Sequence, residues 1–311
     1  AADDPDVIVI GSSNGVGKTS LLEGICLGML AQGRRHSVGT QDARRLIHTG
    51  AERALLQLDV VLGDESGALS AGAFPEGIRT GPPWEAYTDL IAARAREDSS
   101  GALGETLAGR SDNPLVAPPV LYFHSYRKVI PLPLELADIM GPRRPGRTER
   151  MSVFKFRVLR TLLAQSDLLE GAETPDVAAD VLEQLDESLM EFAGAYRRKL
   201  QSGPDDANTL DLLVAQGAEA PSMLFDALSS GQKEIISTPF LVWQATRDFP
   251  SVVLIDEPEL HLHQEWHDDF MRTLFQLAPQ NQYIIATHSQ RIARSVERDR
   301  LRVLKPQGSD R

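Results

Sequence analysis

Val7-Ile8-Val9-Ile10-Gly11-Ser12-Ser13-Asn14-Gly15-Val16-Gly17-Lys18-Thr19-Ser20 decides the fold. Its first four residues are β-branched and make a run short enough for a buried parallel strand. Small and glycine residues follow, and Leu21 to Leu27 suit a helix. Strand, glycine loop and helix are the setting a phosphate loop needs. Gly15 and Gly17 let successive N–H groups turn into one concavity, and the helix adds its positive N-terminal end. Residues Ser13, Asn14, Gly15, Val16, Gly17, Lys18, Thr19 and Ser20 are therefore expected to cradle a triphosphate. Lys18 reaches the β- and γ-phosphates, the Thr19 hydroxyl holds Mg²⁺ and Ser20 is placed for the α-phosphate. The motif G-x-x-x-x-G-K-[ST] asks for glycine at position 12, where this chain has Ser12 and Gly11 just before it. Serine fits there if its φ is negative.

Outward from this loop, Ser251 to Ile255 form a hydrophobic strand that ends in Asp256 and Glu257. A carboxylate at a strand tip suits Mg²⁺, and the adjacent one suits polarisation of an attacking water. Gln282 to Thr287 repeat the pattern with His288 at the tip, a candidate γ-phosphate sensor that also orients the water. Between loop and acids lies Leu228-Ser229-Ser230-Gly231-Gln232, which leads into a helical stretch. Ser229, Gly231 and the helix N-terminus make an anion site, with Ser230 and Gln232 in the same string. Taken alone, the same residues would serve as a capped helix start.

Together these strings resemble the ABC-class ATPases, and Ser229 to Gln232 their signature sequence. Asp256-Glu257-Pro258-Glu259-Leu260-His261-Leu262-His263 is similar to the run of the SMC, RecF and OLD-type branch. The resemblance implies ATP as substrate, Mg²⁺ as cofactor, hydrolysis by Glu257 and His288, and a homodimer in which each signature contacts ATP held by the other copy. It places His261 and His263 in a D-loop at the dimer seam. Where the family run continues with proline this chain has Gln264. The family also places antiparallel strands and an adenine-stacking aromatic ahead of the phosphate loop. Only Ala1 to Gly11 precede it here, so either the chain is trimmed or other residues hold the base. No glutamine stands at the strand end near Val120 to Arg127, where the family carries its Q-loop; Gln41 comes too early.

Composition narrows the function. With 32 basic against 44 acidic residues, the net charge is −12. That opposes a nucleic-acid coat over the whole surface but leaves room for a local strip. Gly141 to Arg160, with Arg143, Arg144, Arg147, Arg150, Lys155, Arg157 and Arg160, is the densest positive stretch. It reads either as a solvated helix face or as a contact for DNA or RNA phosphates. The single cysteine, Cys26, fits a reducing cytoplasm. No apolar run has membrane-spanning length, and the acidic N-terminus is no signal peptide. His261, His263 and His267 lack a cysteine partner, which weighs against a zinc site.

The predicted fold is α/β: a mostly parallel sheet from strands near 7–10, 120–123, 252–255, 283–286 and 301–304, flanked by helices, with an antiparallel β segment and an inserted helical lobe. Residues 1–140 and 223–311 are expected to form the ATPase core, and 141–222 the lobe. Ala54 to Leu62 reads as a strand, Ser66 to Pro83 as turns and Glu97 to Pro119 as a mobile loop. Two helices fill the lobe. One lies near Met151 to Leu169, and the other starts at Thr174-Pro175-Asp176 and is apolar at Val177, Val181, Leu185, Leu189, Phe192 and Tyr196. The predicted function is a dimeric ATP switch in DNA repair or anti-phage defence that controls a partner nuclease or toxin. A transporter cassette and a non-hydrolysing ATP-bound scaffold are the alternatives.

Overall fold

Parallel strands with β-branched residues bury both faces, and this chain does so in the expected places. A computed structural model describes residues 6–12, 15–32, 40–94, 106–107, 111–129, 134–135, 152–166, 174–202, 209–217 and 219–304. Ser13, Asn14 and the arginines at 143, 144, 147 and 150 lie outside these residues, as does most of the stretch expected to be a mobile loop.

The chain divides into two compact units. The first comprises Ala1–Arg127, Ala245–Leu260 and His267–Arg311, the second Lys128–Gln244 and His261–Trp266. The signature residues fall in the second of these units.

In the first unit, β1 (Asp6–Gly11) leads into α1 (Lys18–Leu30). An antiparallel ribbon follows, β2 (Ala54–Leu62), β3 (Glu65–Phe74) and β4 (Gly77–Thr80), with α2 (Thr40–Arg45) before it and α3 (Glu85–Arg94) after it. The turns expected over Ser66 to Pro83 are therefore mostly strand. Small residues serve packing here rather than bending. A Cβ on Gly67 would run into the Trp84 ring, so only glycine lets that indole lie across β3. Leu69, Ala71 and Ala73 lie on the same face of β3 and are buried, Leu69 and Ala71 in one cluster with Trp84.

Strands β5 (Leu115–Ala117) and β6 (Val120–Phe123) complete the inner sheet with three later strands of the same unit. In the second unit, β7 (Leu134–Glu135) belongs to a separate antiparallel sheet with β8 (Tyr196–Ser202), β9 (Thr209–Ala215) and β10 (Met223–Leu224). None of these four strands was legible in the sequence. Helix α4 (Val153–Gln165) packs on α5 (Pro175–Ala193). Proline opens α5 as expected, the Thr174 hydroxyl makes no capping bond, and Gly194 closes the helix in the left-handed region. Ala178, Val181, Leu182, Leu185 and Leu189 are buried along it. A 3-10 turn, Phe225–Ala227, then leads to α6 (Ser230–Thr246).

The chain returns to the first unit with β11 (Val252–Asp256), α7 (Trp266–Leu277, of which His267 onward belongs here), β12 (Gln282–Thr287), α8 (Gln290–Arg294) and β13 (Leu301–Val303). The six strands lie in the order β13-β1-β12-β11-β6-β5, all parallel except the edge pair β5–β6. Period-two alternation sorts the side chains. Ile10, Tyr122, Leu254 and Ala286 join the core around α1. On the opposite face Val9, Phe123, Ile255 and Tyr283 are buried, and Tyr283 stacks edge-on with Phe275 of α7 at 5.1 Å. Register then aligns the strand tips, with Gly11 beside Thr287, Asp256 beside Ala286 and Ile255 beside Phe123. Ligand sites of such sheets form at these carboxyl ends. Among the described residues, no helix is long and apolar enough to cross a membrane.

Candidate functional site

The loop after β1 turns as its glycines require. Gly15 has φ 77° and Gly17 has φ 91°, both in the left-handed region. Lys18, the first residue of α1, is 5% exposed and points back over the loop. Its Nζ lies 3.3 Å from Ser12 Oγ and 3.4 Å from Ser12 O, so the serine at the departing motif position contributes an acceptor. Gly15 and Ser20 are exposed, Val16 is half-buried.

The neighbouring strand tips bring the other predicted groups to the same point. Thr19 Oγ1 donates to Asp256 Oδ2 at 2.7 Å. His288 Nε2 lies 2.8 Å from Lys18 Nζ and 3.1 Å from Glu257 Oε1. One ring nitrogen thus faces an ammonium and a carboxylate, and can serve only one of them at a time. Asp256 is fully buried, and its Oδ1 has no hydrogen-bond partner among the described residues. Burial is the main influence raising the Asp256 carboxyl above its usual range, and Glu257 adds to it; the Thr19 hydrogen bond, Arg127 and Lys18 oppose it. Glu257 has φ 47°, the one non-glycine residue in the left-handed region among those described. Such a conformation costs about 1–2 kcal/mol for an L-residue and persists where the surroundings over-determine it.

Two contributors escaped the sequence. Glu259 gathers the β12–α8 turn: Oε2 accepts from Thr287 Oγ1 at 2.8 Å, and Oε1 accepts from the backbone N–H groups of His288 (2.5 Å) and Ser289 (3.0 Å). Its signal was the second acid of the E-P-E run. Arg127 stands beyond β6 and donates to the Asp256 carbonyl at 2.9 Å. On the helix after the loop, Glu23 is pushed up to about 7, first by burial and then by the charge of Asp256.

His124 lies behind these tips, fully buried. Its Nε2–H donates to Asn113 O at 2.8 Å, and its ring stacks on Tyr126 at 3.8 Å. Burial, its largest influence, and Arg127 hold it down to about 4, against the Asn113 hydrogen bond. An unfolded histidine titrates near 6.5, so the unfolded chain binds more protons between about 4 and 6.5. Stability from His124 is therefore complete above that window and lost as pH falls through it. Denaturant melts at pH 7 and pH 4.5 should show wild type losing more stability than His124→Gln, which keeps a donor for Asn113. Equal losses would remove His124 from the acid response.

In the second unit, the signature residues form a reciprocal capping box. Gln232 N–H donates to Ser229 Oγ at 3.2 Å, and Ser229 N–H donates to Gln232 Oε1 at 3.0 Å. Gln232 Nε2 also donates to Phe192 O, at the end of α5. Ser229 and Ser230 are exposed and Gly231 is buried. A Cβ on Gly231 would meet His261 O at 3.0 Å and the Trp266 ring at 3.2 Å. His261 thus packs beside the signature in this unit, while His263 is exposed with Glu265 at 3.7 Å. Lys155 drops out of the basic strip, because its ammonium is buried between Asp211 (3.0 Å) and Asp226 (2.5 Å).

Solved structures share this fold. A crystal structure of the SMC head bound to the C-winged helix domain of ScpA superposes with a TM-score of 0.54, covering 95% of this chain and 88% of that one at 16% identity. An SMC head domain with an extended coiled coil, bound to a ScpA domain from Pyrococcus furiosus, gives 0.51 over 94% and 85% at 13% identity. The family described as "AAA domain, putative AbiEii toxin, Type IV TA system" matches residues 176–294. The fold is that of an SMC head. The chain is also similar to the "Retron Ec83 probable ATPase" of Escherichia coli, 27% identical over 143 residues. That match covers 42% of this chain and 24% of the relative, so the chain spans about a quarter of the relative's length.

Proposed function

We propose that the chain is an ATP-binding and hydrolysing switch that closes as a sandwich dimer. The observation that carries this is that His288 Nε2 lies 2.8 Å from Lys18 and 3.1 Å from Glu257, next to the Thr19–Asp256 pair. Thr19 Oγ1 and the buried, unpartnered Asp256 Oδ1 fit Mg²⁺, which takes oxygen ligands. When bound, Mg²⁺ neutralises charge on the β- and γ-phosphates. Lys18 binds the phosphates, Glu257 takes a proton from the attacking water, and His288 orients that water and holds the γ-phosphate. In the second unit the exposed Ser229 and the helix start behind it suit an anion brought by another molecule. Each copy would then read the ATP of its partner, with His261 and His263 at the seam. Opening after hydrolysis would be the output.

The setting is proposed from names alone. The toxin–antitoxin description and the retron relative support phage defence over general repair. A nuclease or toxin partner, and nucleic-acid contact through Arg157, Arg160 and the arginines at 143–150, remain part of this proposal. So do the division into core segments 1–140 and 223–311 around a lobe at 141–222, and a cytoplasmic location.

Complementation tests the sandwich. Lys18→Ala holds no ATP but keeps its signature, and Ser229→Arg does the reverse. Each alone should be inactive. Mixed in equal amounts they should regain turnover at one composite site per dimer. A mixture as inactive as its parts would refute sharing.

A further inference from the structure

β6 and β11 stay in register only as far as Phe123 and Ile255. The next carbonyl on β11, that of Asp256, lies past the ladder. Arg127 supplies its partner. Nη1 donates to Asp256 O at 2.9 Å, to His124 O at 2.7 Å and to Phe123 O at 3.3 Å. The side chain is buried, 2% exposed. Nη1 carries two hydrogens in the guanidinium plane, so this one nitrogen bridges the two strand tips, with the longer contact to Phe123 O shared. The other edge of the same peptide is held too: Glu257 N–H donates to Ala286 O of β12 at 2.8 Å. The peptide between the two acids is clamped from both sides, and the residue that follows it is the one forced to φ 47°.

We propose that Arg127 is the positioning residue for Glu257: it fixes the Asp256–Glu257 peptide and thereby aims the Glu257 carboxylate beside His288. The Arg127 bonds to Phe123, His124 and Asp256 all go to main-chain carbonyls, and its charge also favours the ionised Asp256 carboxyl. It occupies the strand end where no glutamine is found, with a different chemistry, because it grips a carbonyl rather than reaching toward phosphate. The inference rests on the proposed role of Glu257 as the base.

Steady-state ATP turnover of the full chain tests it, with Arg127→Met, Arg127→Lys and each combined with Glu257→Gln. If Arg127 works through Glu257, Arg127→Met lowers kcat by about 10²-fold and moves KM little. The ATP-induced rise in melting temperature persists, and Arg127→Lys recovers part of the rate. The double variant with Glu257→Gln is then no slower than Glu257→Gln alone, because two losses along one chain of action do not add. An unchanged kcat, or fully additive losses, overturns the inference while leaving the base role intact. Should Arg127→Met fail to fold, Arg127→Lys in the same cycle decides. A wild-type chain without turnover overturns the base role, and the inference falls with it.

Discussion

Replacing Glu257 by glutamine should lower ATP turnover by about 10²–10⁴-fold, the range a positioned general base supplies, while ATP binding is retained. The substitution keeps size and the strained backbone, and removes the carboxylate that takes the proton. Binding rests on other groups. Lys18 is held by Ser12, and Thr19 by Asp256, and neither contact involves the Glu257 charge; Lys18 shares only the His288 ring nitrogen with it. The loss should therefore fall on kcat, with KM for ATP little changed. Single-turnover hydrolysis checks this. A variant that hydrolyses at the wild-type rate would move the base elsewhere.

Replacing Lys155 by methionine should remove about 3–5 kcal/mol of stability, the cost of breaking one side of a buried ion pair. The Lys155 side chain is 1% exposed and serves two carboxylates, Asp211 and Asp226, themselves 11% and 15% exposed. Methionine fills the volume but leaves both acids without their cation. One of them already has an unpartnered buried oxygen, Asp226 Oδ1. Phe154 and Phe225, the chain neighbours of Lys155 and Asp226, pack on each other at 5.0 Å between ring centroids, and Phe154 on Phe240 at 5.5 Å. Contrast Arg197, which meets Asp186 through Nε and Nη2 at 3.2 and 2.9 Å with both partners part-exposed. Arg197→Met should cost under about 1 kcal/mol. Urea melts of the two variants separate the cases, and equal losses would show that burial is not what sets the energy of the Lys155 trio.

The legible parts of this protein were those whose signal is local. The phosphate loop announces itself within a dozen residues, because glycine conformation, lysine and helix start must be contiguous to make an anion site. The two acids and His288 were legible because an apolar strand with a polar tip can be read in one stretch. Their meeting was not local, yet parallel register guarantees it once the strands are known. The β3–β4 ribbon was missed because Gly67 and the alanines of β3 read as turn formers, while the space they leave is filled by Trp84 from outside the segment. β8 was missed because its mostly exposed residues carry charge rather than alternating apolar side chains, whereas β9 is a short, largely buried apolar run broken by Asp211, with no alternation to mark it. Glu259 and Arg127 stayed invisible as site residues for another reason. Each acts on main-chain groups of a distant strand tip, and no side-chain pattern records a bond to a carbonyl or an N–H.

Sharing of ATP between two copies is the claim on which the switch depends, and molar mass in solution reads it directly. Light scattering on Glu257→Gln with ATP and Mg²⁺ should give twice the 34.1 kDa of one chain, falling to a single chain when ATP is omitted or when Ser229→Arg is added. A particle of 34.1 kDa that carries bound ATP would contradict it.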